Sequence, residues 1–137
     1  MAEGFALEIQ KGIRAALVAN SDVTALVSTR IYDEPPHDVT FPYVRFGTIV
    51  PRAFDTDGSI GASVNLNIEA YSRETGRVEA ARIAEAIRAA LHRQESSVSV
   101  TNHNLIELIC ETYIVDQDNE GRGYDANIVF SAIIETA

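Results

Sequence analysis

The sequence predicts an α+β fold with a mainly antiparallel sheet of four to five strands and two principal helices packed on one face. The first observation is the alternation of apolar and polar residues over 62–71, which is typical of a half-buried strand. The second is the alanine-rich stretch that follows and lasts to about His92, where apolar residues recur at helical spacing. The third is a pair of alternating segments near the C-terminus, whose hairpin order favours antiparallel pairing.

The first element is a predicted helix over residues 5–19, because apolar residues recur there every three or four positions. Its apolar face consists of Phe5, Ile9, Ile13, Ala16 and Leu17. Leu7 and Val18 fall on the opposite side of this helix, beside charged residues. They are either scattered surface residues, which are normal in proteins, or a contact with a neighbouring subunit.

A short helix and a strand are predicted next. The side chains of Ser21 and Asp22 can cap a helix that ends at Val27, since an oxygen there accepts unpaired helical N–H groups. A short extended piece follows at 30–33, and a strand is predicted over 41–50. One face of that strand would carry Val44, Phe46 and Thr48.

In the strand predicted over 62–71, the apolar face consists of Val64, Leu66, Ile68 and Ala70. The helix behind it has a stripe made of Ala80, Ile83, Ala84, Ile87, Ala90 and Leu91. The two closing strands are predicted over 105–115 and 124–135, with Phe130 among the residues that face the helices. Their small and apolar residues allow helix and sheet to pack closely, so that all elements form one domain over residues 1–137.

The opposite face of the sheet has a mixed character. It carries Glu69, Glu107 and Glu111, but alternation also assigns Tyr71, Ile109, Tyr113 and Ile133 to it. A face in contact with water alone would have fewer large apolar side chains. These four residues are therefore a candidate interface with another subunit or partner, and ordinary solvent exposure is the alternative.

Two acidic segments are predicted to connect strands. Residues 51–61 form a connection of about eleven residues, which is long for a hairpin and contains Arg52, Asp55 and Asp57. A second turn region after residue 115 contains Asp118 and Glu120. Each segment is either a solvated turn or a functional loop.

Composition excludes several classes of protein. The formal charge of −9 and the scattered basic residues argue against sequence-specific nucleic-acid binding and against an anionic membrane surface. The sequence contains no apolar run long enough to span a bilayer, and Met1–Gly4 does not resemble the start of a signal peptide. We therefore expect an intracellular site of synthesis. The single cysteine, Cys110, gives no sign of a disulfide framework.

The sequence predicts no catalytic, cofactor-binding or metal-binding residues. The segment 116–121 resembles the start of an EF-hand loop, but position twelve is Asn127, which cannot supply the bidentate carboxylate. The three histidines lack ligand spacing, and no serine lies in a strand–turn–helix elbow. Cys110 shares a strand face with apolar residues, which predicts an inert thiol. We expect no cofactor and no enzyme activity.

Several segments together resemble a known family. They are Arg30-Ile31-Tyr32-Asp33 before Pro35-Pro36, then Phe41-Pro42-Tyr43-Val44, Ala70-Tyr71-Ser72-Arg73, and Ala89-Ala90-Leu91-His92. In this order, and with a closing hairpin, they resemble the small tail-completion or tail-terminator proteins of long-tailed phages and gene transfer agents. The resemblance covers nearly the whole chain.

The resemblance implies a structural virion protein at the tail–neck junction. Such a protein forms a homo-oligomeric, hexameric ring that caps the tail tube, ends its polymerisation and offers a docking surface to the head side. The implied partners are further copies of the chain, the tail tube protein and a head-side connector or stopper protein. One of the two acidic segments would then border the lumen of the ring or dock onto the tube. A head–tail connector or neck protein of related fold would have a similar sequence, and a small ligand-binding α+β domain is a further alternative.

Overall fold

The computed structural model describes residues 4–137. Of the Met1–Gly4 segment, the first three residues lie outside the described part of the chain. The helices are α1 (Phe5–Ala19), α2 (Ser21–Val27) and α3 (Val78–Leu91), and the strands are β1 (Ile31–Tyr32), β2 (Tyr43–Ala53), β3 (Gly61–Ser72), β4 (His103–Gln117) and β5 (Tyr124–Thr136). A short 3₁₀ turn at Glu95–Ser97 links α3 to β4.

The five strands form one sheet in the order β1-β2-β3-β5-β4. The short β1 pairs parallel to β2, and every other neighbouring pair is antiparallel. The helices pack on one face of this sheet, where side chains from both layers are buried together. The predicted fold class is therefore confirmed, with α2 added to the two principal helices.

The core lies between α3, α1 and the central strands. The predicted faces of β3 and β5 are confirmed, and Phe130 of β5 is fully buried. The predicted stripe of α3 is buried as well, with Ile87 at its centre and Ala90 at its margin. Gly12 of α1 allows a close approach, because a Cβ added there would lie 2.6 Å from the Ser99 carbonyl oxygen.

Strand β4 departs from the predicted alternation at two bulges. The register shifts between Leu105 and Glu107 and again between Cys110 and Thr112. A bulge places two residues of one strand opposite a single residue of its partner, so the alternation of faces changes phase there. The assignment of Tyr113 to the face opposite the helices was therefore wrong. Its side chain packs against the core, and its hydroxyl donates to Glu85 Oε2 of α3 at 3.1 Å.

A third bulge lies in β2, where the register shifts between Phe46 and Ile49. The predicted placement of Thr48 beside Val44 and Phe46 was wrong for this reason, and Ile49 packs against the core instead. Strand β2 also continues to Ala53. The predicted eleven-residue connection is thus shorter than expected, since pairing extends through Ala53 and Ala62.

Two predictions about the N-terminal helices were also wrong. Val18 is partly buried and packs against the core, whereas Leu7 is exposed as expected. The cap of α2 is Asn20, whose Oδ1 accepts from the N–H groups of Asp22 (3.0 Å) and Val23 (3.1 Å). Ser21 and Asp22 belong to the helix itself.

Candidate assembly surface

The side of the sheet that faces away from the helices is the candidate assembly surface, and we call it the outer sheet face. No element of the described chain covers it, because all three helices pack on the other side. Four rows of residues cross the centre of this face, each with one residue from β2, β3, β5 and β4 in that order. The rows are Arg45, Glu69, Asn127 and Ile114; Thr48, Asn67, Val129 and Thr112; Val50, Asn65, Ser131 and Ile109; and Arg52, Ser63, Ile133 and Glu107.

Asn67 connects three strands of this face. Its Oδ1 accepts from Thr48 N–H at 2.7 Å, which satisfies a backbone group that the bulge in β2 leaves without a ladder partner. Its Nδ2 donates to Asn127 Oδ1 at 2.8 Å. Gly47 leaves room for this side chain, since a Cβ there would lie 2.6 Å from the amide. The local sequence thus fixes a polar centre on the outer sheet face.

Tyr71 is held at one end of the face by aromatic and charged neighbours. Its ring stacks on Tyr43 at 5.0 Å, and its hydroxyl donates to Glu69 Oε1 at 2.7 Å. Burial, together with this hydrogen bond, raises the pKa of Tyr71 above its ordinary value. Arg45 Nε lies 3.5 Å from Glu69 Oε1, an ion-pair distance without the alignment of a hydrogen bond.

The side of the face along β5 and the free strand β4 carries most of its apolar side chains. Ile109, Val129 and Ile133 are only half-buried, although no other element of residues 4–137 packs on them. Ile114 is 57% exposed. Its place here follows from the second bulge of β4, and no sequence signal marks that bulge. Apolar side chains beside a polar network are a composition expected of a protein–protein interface.

The structure brings together only part of the predicted interface. Tyr71, Ile109 and Ile133 all lie on the outer sheet face. Tyr113 and Val18 lie against the core on the helical side. Leu7 is 42% exposed on α1 and is therefore remote from the outer sheet face.

The two predicted acidic segments lie at opposite ends of the sheet. The β2–β3 connection is next to the Gly61–Glu135 pair, and the β4–β5 turn is next to the Ser72–Tyr124 pair. The twelve residues of β3 separate these ends by about 37 Å. The two segments therefore cannot form one surface on a single copy.

The β2–β3 connection is an ordered hairpin. Thr56 and Ser59 exchange backbone hydrogen bonds of 3.0 and 3.1 Å around Asp57 and Gly58. Two large apolar side chains near its tip are exposed, Phe54 at 48% and Ile60 at 61%. The sequence analysis named the charged residues of this segment and missed these two, which are the features most typical of a docking element.

The β4–β5 end combines carboxylates and aromatic rings. A cavity of about 150 Å³ lies there between Tyr43, Tyr71, Asp118 and Asp125. Arg73 lies over the ring of Phe41, with 4.1 Å between the guanidinium carbon and the ring centroid. Burial and the nearby acidic groups Asp118, Glu69 and Asp116 raise the pKa of Asp125.

No group of three or more His, Cys, Asp or Glu side chains within residues 4–137 could hold a metal ion. Burial raises the pKa of the Cys110 thiol, which disfavours the reactive thiolate. Among the helices described, none is long and apolar enough to cross a membrane.

A small α+β domain with a mixed polar and apolar sheet face and ordered loops at both ends has the properties of an assembly component. Comparison with known families identifies which one. The family model for tail completion protein gp17 matches residues 11–135, which is most of the chain. The protein therefore belongs to this family of structural virion components, and it has a structural role in a phage-type tail and is not an enzyme.

A solved structure has the same fold. One chain of a native gene transfer agent virion particle superposes with a TM-score of 0.84 and 23% sequence identity. The match covers 93% of this chain and 94% of that chain. No curated protein matches the sequence. The predicted resemblance to tail-completion proteins of phages and gene transfer agents is confirmed.

Proposed function

We propose that this protein, acting as a single domain, caps the tail tube as a homo-oligomeric ring, ends tube polymerisation and docks the tail to the head-side connector. The observation that carries the proposal is the outer sheet face of a chain that belongs to a tail completion family. Its apolar side chains, of which Ile114 is 57% exposed, lie beside a polar network, and their burial against another subunit would stabilise an assembly.

Within the ring, we assign Ile109 and Ile133 to the contact between subunits or with a tail partner. Tyr71 belongs to the same face at its polar end. The exposed Leu7 of α1 is assigned to a separate contact on the helical side. Six copies are the proposed ring size.

The two acidic segments lie at opposite ends of the sheet, and each can contact a different partner. A ring at the tail–neck junction has the tube on one side and the connector on the other. Since the hairpin with Arg52, Asp55 and Asp57 and the turn with Asp118 and Glu120 lie at opposite ends, each can face one of these neighbours. Six copies at −9 each would carry a formal charge of −54, which lets DNA pass without adhering to the ring.

The test uses virion-producing cells that lack the gene for this chain. If the protein ends the tube, electron micrographs of such cells should show tubes of abnormal length without heads. Supplying the wild-type chain should restore tails of uniform length joined to heads. Tubes of normal length in the absence of the chain would contradict the proposal.

The same experiment addresses the alternative functions. A head–tail connector would leave tube length unchanged and heads empty or unattached. A small ligand-binding domain would leave both tube length and head joining intact. Membership of the tail completion family favours the terminator over these alternatives.

A further inference from the structure

Strand β4 is the free edge of the sheet, and its backbone groups are used differently in its two halves. In the first half, Leu108 N–H donates to Glu95 Oε2 and Cys110 N–H donates to His92 Nδ1, each at 2.9 Å. The Leu108 carbonyl accepts from Arg93 N–H at 2.8 Å. The segment that follows α3 thus satisfies the outward N–H groups of Leu108 and Cys110 and the outward carbonyl of Leu108.

The second half of β4 has no such cover among the described residues. Successive residues of a strand direct their backbone N–H and C=O groups to opposite sides. Asp118 N–H donates to the carbonyl of Gly123, inside the β4–β5 turn. Counting back by alternation, Gln117, Val115 and Tyr113 direct their groups outward, away from β5.

Two of these outward N–H groups are free for another chain. Gln117 N–H already donates to Asp116 Oδ1 at 2.8 Å. Tyr113 and Val115 lie beyond the segment that covers the first half, and β4 is the last strand of the sheet within residues 4–137. The exposed side chain of Ile114 lies between them.

The covered and uncovered parts of β4 differ in their capacity to pair with a strand of another chain. A long exposed edge strand promotes unwanted pairing, and proteins normally block it with bulges, charges or covering segments. Here the covering segment protects Leu108 and Cys110 and ends before Tyr113. An edge that is covered at Leu108 and Cys110 and open from Tyr113 onward is suited to a specific strand partner.

We infer that residues 112–117 accept an extended, basic segment of another virion protein, which adds to the sheet as a strand. This rests on the proposed function, because the ring must contact both tube and connector. Main-chain hydrogen bonds to Tyr113 and Val115 would supply affinity, and Ile114 would contact an apolar side chain of the segment.

Charge identifies the chemistry of this partner. Strand β4 carries Glu107, Glu111 and Asp116 and no Lys or Arg. The following turn adds Asp118, while its Glu120 is paired with Arg122. The net charge of this edge is therefore negative and favours a basic segment. Pairing of this edge with the same edge of a second copy would oppose like charges.

The opposite side of another copy is also a poor partner. Beyond the short β1, its exposed edge is β2, and Pro51 of β2 has no N–H group to donate to an edge ladder. A basic segment of a different chain meets neither obstacle.

The decisive variants are Val115→Pro and Val115→Ala. Both shorten or reshape the same half-buried side chain, but only proline removes the outward N–H group. Since that group does not bond to β5, both variants should fold, as judged by circular dichroism and thermal melting. We expect Val115→Ala to enter virions as wild type does and Val115→Pro to enter them at least about tenfold less.

Hydrogen exchange on the wild-type chain gives a second, independent readout. The amides of Tyr113 and Val115 should exchange rapidly in the isolated protein and slowly in purified virions. Those of Leu108 and Cys110 should be protected in both states and serve as internal controls. The strand-addition site is overturned if Val115→Pro enters virions as well as Val115→Ala does. It is also overturned if the amides of Tyr113 and Val115 exchange as fast in virions as in the isolated protein.

The basic character of the segment is tested at Glu111, whose side chain lies beside the open half. Glu111→Lys should reduce entry into virions more than Glu111→Gln does, and equal effects would overturn this part of the inference. Failure of the terminator function would appear instead as normal tube length in cells without the chain. That outcome leaves the exchange result unaffected, so the two failures are distinguishable.

Discussion

Gly123 lies where the β4–β5 turn passes close to the end of β3. Its φ is +152°, and a Cβ added there would lie 2.0 Å from the Ser72 carbonyl oxygen. The neighbouring atoms, Ser72 C and O and Arg73 Cα, all belong to the backbone, which prevents a simple adjustment. Gly123→Ala should therefore lower the free energy of unfolding by about 2–4 kcal/mol, measured by denaturant titration.

Gly121 provides the matched control for this substitution. It lies in the same turn at φ +69°, but a Cβ there meets nothing within 4 Å. Gly121→Ala should cost only the backbone strain, about 1 kcal/mol. Equal costs for the two variants would show that the contact with Ser72 does not determine the conformation of the turn.

Asp125 gives a prediction about pH. Burial and neighbouring acidic groups raise its pKa above the ordinary value, so the folded protein favours the protonated carboxyl. The stability linked to Asp125 is complete below the ordinary pKa of about 3.9 and is lost as the pH rises through the raised value. Above that range the carboxylate is a cost, partly screened because the side chain is half-exposed.

Asp125→Asn should consequently raise the melting temperature at pH 7 by about 1–3 °C. At about pH 3, where the wild-type carboxyl is neutral, the two proteins should melt together. Thermal scans of both proteins between these limits measure the difference. A constant difference across the whole range would contradict a role for the charge.

At the scale of elements, the second bulge of β4 decides which side chains face the helices. Cys110 pairs with Phe130 and Thr112 with Val129, so Glu111 is the extra residue. Deleting Glu111 restores regular alternation and keeps Tyr113 against the core. The deletion should cost about 1 kcal/mol, mainly through the lost hydrogen bond from Ser131.

Deleting Ile109 is the control for this experiment. Without that residue, either a charged side chain of β4 faces the helices or the register between β4 and β5 changes. The expected cost is at least about 4 kcal/mol, with loss of the folded state. Circular dichroism and denaturant titration of both deletion variants separate these outcomes, and similar stabilities would argue against the bulge assignment.

The same bulges mark the limit of what the sequence could predict. Strands β3 and β5 have no bulge, so simple alternation placed every buried residue from Val64 to Ala70 and Phe130 correctly. In β2 and β4 an extra residue reverses the alternation, and a residue such as Glu111 is not distinguishable by type from its neighbours. Bulges depend on pairing across strands, which a single strand sequence does not contain.

For the candidate surface, prediction succeeded where the strand is regular and failed beyond the bulges. Tyr71, Ile109 and Ile133 were assigned to the correct face, whereas Tyr113 was assigned to the wrong one. The order of strands also determines that the two acidic segments lie far apart. That order requires tertiary contacts between β3 and β5, which the local pattern cannot supply.

At the scale of the whole molecule, assembly should depend on the apolar part of the outer sheet face. Ile109→Lys places a charge in the centre of that group, where burial against a neighbour would leave it unpaired. We expect a folded protein with normal melting but strongly reduced incorporation into virions. Val78→Lys is the control, because Val78 is 60% exposed on α3 at the opposite side. Equal incorporation of both variants would remove the outer sheet face as an assembly surface.

The hairpin between β2 and β3 is the remaining candidate for a docking element. Deleting Asp55–Ser59 leaves Phe54, Ile60 and Gly61 as a three-residue connection between paired strands, a length that hairpins commonly use. Since the pairing of Ala53 with Ala62 is retained, the shortened chain should fold with little change in melting temperature. Its loss should impair the joining of tails to heads.

A second variant distinguishes the length of the hairpin from its chemistry. Phe54→Ser combined with Ile60→Ser keeps the length and removes the two exposed apolar side chains. If docking depends on apolar contacts, this variant should reduce the yield of joined, infectious or gene-transferring particles as much as the deletion does. If docking depends on the acidic side chains of the hairpin, Asp55 and Asp57, only the deletion should reduce the yield. A normal yield from both variants would exclude the hairpin from docking and leave the β4–β5 end as the candidate.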